Sequence, residues 1–164
     1  METQLRDGRT AVAAGRAPVV LLSGVASDSH TWNLVYLQLL IEELGYDVVN
    51  LGPCVPDEVL VEACRVQDPA MVVISSVNGH GYQDGLRVVG KLRACERLVA
   101  TPVVIGGKLG VSGEQSARNV ERLVAAGFDA VFDDGGNGIA GFRDFVASVR
   151  AARRPMVENV ETPA

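Results

Sequence analysis

The sequence predicts a single α/β domain with a flavodoxin-like (Rossmann-like), doubly wound, five-stranded parallel sheet. Short runs of β-branched and apolar residues alternate five times with longer stretches of helical periodicity. This strand–helix–strand order requires right-handed crossovers, which place helices on both faces of a parallel sheet. The chain has 164 residues, of which 48% are hydrophobic, and this is enough to fill one buried core.

The five predicted strands are short and apolar, and each precedes a loop that carries glycine or polar residues. They span residues 18–23, 46–51, 70–76, 102–105 and 130–132. Continuous apolar runs of this length are typical of strands that are buried between two layers of helices. The pattern therefore predicts a sheet that is covered on both faces.

The five predicted helices follow the strands. In the first, Leu37, Leu40, Ile41 and Leu44 have helical spacing, and Gly45 suits the position just after a helix end. The second opens at a proline followed by two acids, whose fixed φ and negative charge suit a helix N-terminus. Its start is residue 56, the third helix spans residues 83–95, the fourth runs from Ser112 in a capping-box pattern to near Gly127, and the fifth spans residues 139–150.

Composition restricts the possible partners and the compartment. The formal charge of −5 and a pI near 5.0 argue against binding to nucleic acid or to an anionic membrane. The cysteines Cys54, Cys64 and Cys95 lack the paired spacing of a zinc or dithiol site, so we expect reduced thiols and a cytoplasmic location. We interpret residues 1–17 as a loose arm, 18–150 as the domain and 151–164 as a tail.

Polar and glycine-rich loops follow four of the predicted strands. Because the carboxyl ends of parallel strands meet at one edge of the sheet, these loops are expected to form one extended cleft. Glycines there would let the backbone approach a large flat ligand without a Cβ in the way. The loops comprise residues 27–30, 75–81, 106–110 and 133–138.

The first of these loops contains an aspartate two residues before a histidine. Asp28 could accept the ring N–H that His30 does not use for a metal, which is the usual support of an imidazole ligand. By itself this spacing is weak and favours a structural or solvated histidine.

The intervals between three loops resemble the pattern of cobalamin-binding domains in mutases and methyltransferases. That pattern is D-x-H-x-x-G, about 41 residues, S-x-L, about 26 to 28 residues, and G-G. Here Asp28-Ser29-His30 begins the first motif, Ser75-Ser76-Val77 follows residues 34–74, and Gly106-Gly107 follows residues 78–105. The resemblance covers about residues 18–150.

The resemblance implies a role for each matching residue. His30 would replace dimethylbenzimidazole as the lower axial ligand of cobalt, and Asp28 would orient it. Ser75 would meet the displaced base in a slot beside the sheet, Val77 would pack there, and the two glycines would keep the slot open. Further cofactor contacts are expected from Ser27, Ser29, Thr31, Ser76, Lys108, Leu109 and Gly110.

Two positions depart from the family pattern. Val77 stands where leucine is usual and loses little apolar contact. Asn33 stands where glycine is usual, at the start of the first helix, and we expect its side chain to point away from the cofactor or to bind one of its amides.

The segments SDSH, VVNLG and SSVNGHG are most similar to the small subunits of glutamate mutase. This implies adenosylcobalamin as cofactor and a larger, barrel-shaped catalytic subunit that holds an amino-acid substrate, with rearrangement of glutamate to 3-methylaspartate as the reaction. The alternative is a stand-alone cobalamin carrier, a methyl-transfer module or a light sensor. Such modules generally carry a helical bundle before this domain, whereas about 17 residues precede the first strand here, so we favour the mutase subunit.

Several polar residues of the loops have more than one interpretation. His80 could be a second cofactor contact or a solvated loop residue, and Lys108 could contact the cofactor or solvent. Asp133 and Asp134 are interpreted as solubilising loop residues in preference to a metal pair. Trp32 could stack on a partner or on the corrin, or pack in the core.

Overall fold

The computed structural model describes residues 15–110, 114–134 and 138–153. Its five strands form one parallel sheet in the order β2-β1-β3-β4-β5. This order and the intervening helices confirm the predicted flavodoxin-like, doubly wound fold. The strands are β1 (Val19–Gly24), β2 (Asp47–Asn50), β3 (Met71–Ser76), β4 (Val103–Gly107) and β5 (Ala130–Asp133).

The five predicted helices are present, each within a few residues of its expected bounds. Gly45 follows the first helix with a φ of +89°, and Pro56 precedes the second in an extended conformation. A short 3₁₀ helix at Glu96–Leu98 was not predicted. The α-helices are α1 (Trp32–Glu43), α2 (Asp57–Gln67), α3 (Gly81–Arg93), α4 (Glu114–Ala126) and α5 (Gly138–Ala152).

Some predictions fall outside the described residues. These are the predicted cap at Ser112, most of the N-terminal arm (residues 1–14), part of the last loop (residues 135–137) and most of the tail (residues 154–164). Among the helices of the described ranges, none has the length and apolar character needed to cross a membrane.

Alternate residues of each central strand supply two separate cores. On one face, Leu21, Val72 and Ile105 pack with α2, α3 and α4. On the other face, Val73 and Val104 pack with α1 and α5. Because β1 is followed by α1 on one face and β3 is followed by α3 on the other, the chain diverges above the β1–β3 pair, which is where ligands bind in this class of fold.

Candidate functional site

Asp28 lies in the loop after β1, and its carboxylate joins that loop to the loop after β3. One carboxylate oxygen, Oδ1, lies 2.6 Å from Nδ1 of His30 and also accepts the His30 backbone N–H at 3.0 Å. The other oxygen, Oδ2, accepts the backbone N–H of Val77 at 2.6 Å. The Asp28 residue is 1% exposed, so these bonds are shielded from water. The two motifs are therefore locked together by one side chain.

The ionisation of Asp28 fixes the tautomer of His30. Burial by itself raises the pKa of Asp28, but hydrogen bonds from the backbone of His30 and Val77 and from the His30 ring lower it further, so the net shift is downward. An ionised carboxylate can only accept hydrogen bonds, so Nδ1 of His30 must carry the ring proton. In the neutral imidazole, Nε2 is then left with a free lone pair.

His30 presents this lone pair outward. Its side chain is 49% exposed, and Nε2 makes no hydrogen bond to any residue of the described ranges. An imidazole that is oriented through Nδ1 and open at Nε2 has the arrangement of a metal-ligating histidine with its supporting carboxylate.

A chain of hydrogen-bonded and ion-paired side chains holds the His30 loop against α3 and α2. The Ser27 hydroxyl donates to Asp84 of α3 and accepts an N–H from Asn78 at 2.9 Å. Arg87 pairs with Asp84 at 2.6 Å and with Asp57 of α2 at 2.7 Å. These contacts connect the His30 loop to the N-terminal ends of two helices.

A cavity of about 460 Å³ opens beside the His30 loop, on the face of the sheet that α1 and α5 cover. Its walls are mostly apolar, and β3 and β4 contribute the small residues Ser75, Gly106 and Gly107 where they reach it. A long, flat group could enter there with most of its surface buried. The residues that line it include Trp32, Asn33, Tyr36, Val73, Ser75, Val77, Val104, Gly106, Gly107, Lys108, Phe132, Asp134, Ile139 and Phe142.

The apolar wall carries one buried polar pair. Ser75 is 3% exposed and Asn33 is 5% exposed, and Nδ2 of Asn33 donates to Oγ of Ser75 at 2.7 Å. Oδ1 of Asn33 is buried and has no hydrogen-bond partner in the described parts of the chain. The expectation that Asn33 points away or binds a cofactor amide is therefore wrong in its first half, because Asn33 turns inward to Ser75.

The two glycines of the G-G motif lie where the chain has no room for a side chain. A Cβ on Gly106 would come within 2.9 Å of the Phe132 carbonyl oxygen. Gly107 has a φ of +110°, and a Cβ there would come within 2.2 Å of the Ser76 carbonyl oxygen. Both glycines line the cavity, so a larger residue would narrow it as well as strain the strand.

The structure separates two predicted contacts from the cavity. Ser76 alternates with Ser75 along β3, and its side chain faces α3, where Oγ contacts Asn78 at 3.1 Å. Leu109 is 4% exposed and packs in the core between α3 and α4. Neither side chain lines the cavity, and the expected contact of these two residues with a cofactor stays a prediction. The backbone carbonyls of Lys108 and Leu109 instead accept N–H groups from the loop and first turn of α3.

Most of the other predicted cofactor contacts are exposed to solvent. Ser27, Ser29 and Thr31 are exposed on the His30 loop, and Lys108 is exposed at the cavity mouth. Gly110 lies beside α4, where a Cβ would be 3.7 Å from Asn119.

Two loop residues with more than one interpretation lie elsewhere on this edge of the sheet. His80 is exposed just before α3, and Asp133 accepts the Ser116 hydroxyl. Within the described ranges, no three His, Cys, Asp or Glu side chains form a group that could hold a metal ion.

The sequence patterns did not reveal most of the cavity wall or the polar side chains that hold the His30 loop. Tyr36 lies in α1, far along the chain from Phe132 in β5 and Phe142 in α5, and Asp84 and Arg87 show only helical spacing. One sequence signal for this surface was α1, which carries apolar residues on its outer face as well as on its inner face. Trp32 is 66% exposed and Leu39 is 61% exposed on its outer face, so Trp32 lies at the surface beside the cavity and not in the core.

The sequence matches a family and a set of relatives. A family model described as B12 binding domain matches residues 18–143. Glutamate mutase sigma subunit 2 of Haloarcula marismortui is 31% identical over 114 residues, which cover 70% of this chain and 76% of that protein. The glutamate mutase sigma subunit of Carboxydothermus hydrogenoformans is 33% identical over 117 residues, which cover 71% and 84%.

Solved structures share the fold. A cobalamin-binding protein from Desulfitobacterium hafniense superposes with a TM-score of 0.65 at 22% identity, over 82% of this chain and 60% of that one. The receiver domain of a Pseudomonas aeruginosa sensor histidine kinase superposes almost as well, with a TM-score of 0.58 at 14% identity, over 82% and 98%. The fold alone is thus common to different functions. The sequence relationship is what distinguishes among them.

Proposed function

The chain belongs to the B12-binding domain family, as a homologue of glutamate mutase sigma subunits, and from this premise we propose that it is the cobalamin-binding small subunit of an adenosylcobalamin-dependent mutase. The proposed reaction is the carbon-skeleton rearrangement of glutamate to 3-methylaspartate, carried out with a larger, barrel-shaped catalytic subunit. The proposed binding domain spans residues 18–150.

The Asp28–His30 pair is the observation that carries this proposal. Asp28 holds a proton on Nδ1 of His30 and leaves Nε2 free and outward-facing, as a cobalt ligand requires. A merely solvated histidine would not need a buried carboxylate that is itself fixed by two backbone N–H groups. We therefore assign His30 as the lower axial ligand and Asp28 as the residue that orients it.

The cavity supports the same assignment. Once His30 takes the lower cobalt position, the base and nucleotide tail of the cofactor would need a slot of their own, and the apolar cavity is lined by Trp32 and Asn33, which closely follow His30 in the chain. Ser75 offers a hydroxyl to the base, Val77 packs against it, and Gly106 and Gly107 keep the entrance free of side chains. The buried unpaired oxygen of Asn33 also fits a slot that is completed by a polar ligand.

The exposed surface around His30 supports a division of labour between two subunits. Adenosylcobalamin, when bound, supplies a cobalt–carbon bond whose homolysis starts a radical rearrangement. This chemistry requires exclusion of water, yet His30, Ser29, Thr31 and Trp32 all lie on an open surface. The described residues contain no obvious group of charged side chains for an amino-acid substrate. A partner that covers this edge and holds the substrate meets both needs.

The axial assignment is tested by electron paramagnetic resonance of the protein reconstituted with reduced cobalamin after uniform ¹⁵N-histidine labelling. We expect superhyperfine coupling of cobalt to a labelled nitrogen. The chain has two histidines, so His80→Asn is the matched control and should keep this coupling, whereas His30→Ala should lose it. Coupling to the dimethylbenzimidazole nitrogen alone in the wild type would overturn the assignment.

The reaction is tested by mixing the chain with adenosylcobalamin, glutamate and a purified large subunit of glutamate mutase. We expect 3-methylaspartate from the mixture and none from the chain alone. Turnover by the chain alone would contradict the two-subunit proposal. Cobalamin binding without turnover with any large subunit would favour a carrier, methyl-transfer or sensor function.

A further inference from the structure

Asn33 is the one buried polar side chain within the described ranges that has an unpaired atom. Its Nδ2 group donates to Ser75, but Oδ1 has no partner, although the residue is 5% exposed and lines the cavity. An unpaired buried acceptor is costly, and native proteins rarely keep one that no ligand or water completes. The partner of Asn33 Oδ1 is therefore expected to be a hydrogen-bond donor of the ligand that fills the cavity.

Asn33 and Ser75 together require a ligand edge of a particular kind. With Nδ2 donating to Ser75, the serine hydroxyl proton remains free to donate and Oδ1 remains free to accept. If the amide is turned over, the serine donates to Oδ1, and the pair then offers the amide N–H as donor and the serine oxygen as acceptor. In both orientations the pair presents at least one donor and one acceptor.

The rest of the cavity gives the ligand no substitute for this pair. The walls around it are Val73, Val104, Phe132 and Phe142, which offer no side-chain hydrogen bonds. The other polar side chains of the lining, Tyr36, Lys108 and Asp134, are exposed to solvent. A ligand group deep in the cavity therefore either matches Asn33 and Ser75 or leaves one of them unpaired.

We propose that Asn33 makes this slot selective for the lower base of the corrinoid, and that it favours a base with an exocyclic amino group, such as an aminopurine, over dimethylbenzimidazole. The inference rests on the proposed function, because it assumes that the base enters this cavity. Dimethylbenzimidazole, once off cobalt, has one ring-nitrogen acceptor and no donor, so it satisfies half of the pair. An aminopurine has ring-nitrogen acceptors and amino N–H donors and can satisfy both halves.

The test is an absorbance titration of the protein with four corrinoids. These are cobalamin, the cobamides that carry adenine or guanine as lower base, and cobinamide, which has no base. The wild type is expected to bind at least one aminopurine cobamide about tenfold more tightly than cobalamin, the scale of one unpaired buried group. Equal or tighter binding of cobalamin by the wild type would overturn the inference.

Two variants separate the polarity of Asn33 from its volume. Asn33→Gly removes both, and Asn33→Leu keeps a similar volume without hydrogen bonds. In each variant the preference is expected to fall to within about twofold, while affinity for cobinamide stays at the wild-type value. Circular dichroism checks that each variant is folded. If one variant does not fold, the other is sufficient for the test.

The titrations also distinguish this inference from the function on which it rests. A preference that persists in a folded variant would show that Asn33 is not its source and would overturn the inference alone. If the wild type bound none of the four corrinoids, including cobinamide, the proposed function would fail, and the inference would fail with it.

Discussion

The carboxylate of Asp28 accepts three hydrogen bonds that come from two different loops, so a single side chain orients His30 and joins β1 to β3 at the site. Its lowered pKa makes the consequence for stability predictable. A carboxyl group with a lower pKa in the folded state stabilises the fold when it is ionised. That contribution is complete above the unfolded-state pKa of about 3.9 and is lost as the pH falls through the folded-state value.

We expect Asp28→Asn to lower the free energy of unfolding by about 1 to 3 kcal/mol at pH 7, since it leaves buried N–H groups poorly paired. The difference from wild type should shrink as the pH falls below about 4. Urea unfolding at pH 7 and at pH 3.5 measures it, and a difference that does not depend on pH would contradict the ionised carboxylate. The affinity for cobalamin should fall about 10- to 100-fold.

Gly107 has a backbone conformation and surroundings that exclude any other residue. Gly107→Ala should destabilise the fold by about 3 kcal/mol or more, because an unfavourable positive φ is combined with a Cβ 2.2 Å from a backbone oxygen. Gly79 is the matched control, because its φ is +85° but a Cβ there would meet nothing within 4 Å. Gly79→Ala should cost only about 1 to 2 kcal/mol. Equal losses in urea unfolding would mean that the close contact is relieved at little cost.

At the scale of elements, Arg87 links α2 to α3 and, through Asp84 and Ser27, to the His30 loop. Burial raises the pKa of Asp57, but hydrogen bonds from Arg87 and Lys91 lower it further, so the net shift is downward. Asp57 is 5% exposed, and removing Arg87 therefore leaves a buried carboxylate with one cation in place of two.

Arg87→Met should lower the free energy of unfolding by about 1 to 3 kcal/mol, less than for a fully buried pair because the Arg87 side chain is half exposed. Arg65→Met is the control, since Arg65 pairs with Glu62 between two exposed side chains and should matter by about 0.5 kcal/mol or less. Urea unfolding of both variants checks the comparison. If the two losses were alike, the link between the helices would be dispensable.

The elements were predictable because their ends carry local signals. Gly45 and Pro56 mark helix boundaries by their backbone preferences, and the apolar strands are continuous. The orientation of α1 was less accessible, because Val35 and Leu39 on its outer face are as apolar as Leu40 and Ile41 on its inner face. A helix without a polar face does not reveal from its periodicity which side is buried.

The site was predictable where topology alone brings loops together. His30 follows β1, and Ser75 and Gly106 lie at the carboxyl ends of β3 and β4, which are adjacent in the sheet, so the intervals in sequence were sufficient to bring these residues together. The partner of Asn33 and the partners of Arg87 depend on side-chain packing between elements, which leaves no periodic trace in the sequence. The motif likewise does not show that the Ser76 side chain lies on the opposite face of the sheet from Ser75, or that Leu109 packs in the core.

At the scale of the whole molecule, ligand binding and folding should be coupled. The proposed cofactor contacts residues that exist as a group only in the folded chain, so cobalamin should stabilise it. At a free concentration one hundred times the dissociation constant, the gain is about 2.7 kcal/mol. Thermal unfolding followed by circular dichroism should show a melting temperature that rises with cobalamin concentration, and His30→Ala should rise less at the same concentration. An unchanged wild-type melting temperature would contradict specific binding to the native state.

The β1–β3 pairing also determines when the site can come into existence. Val20 pairs with Met71, and α1, β2 and α2 all lie between them in the chain, so this pairing closes a long loop. Parallel pairings of this kind form slowly, because the entropy of loop closure is lost before the contacts compensate for it. On the ribosome, His30 leaves the exit tunnel well before Val77, whose N–H completes the bonding of Asp28. The nascent chain therefore has to include β3 before its histidine can be held in this geometry, so the proposed cofactor cannot be bound through an oriented His30 until the first half of the chain has been synthesised.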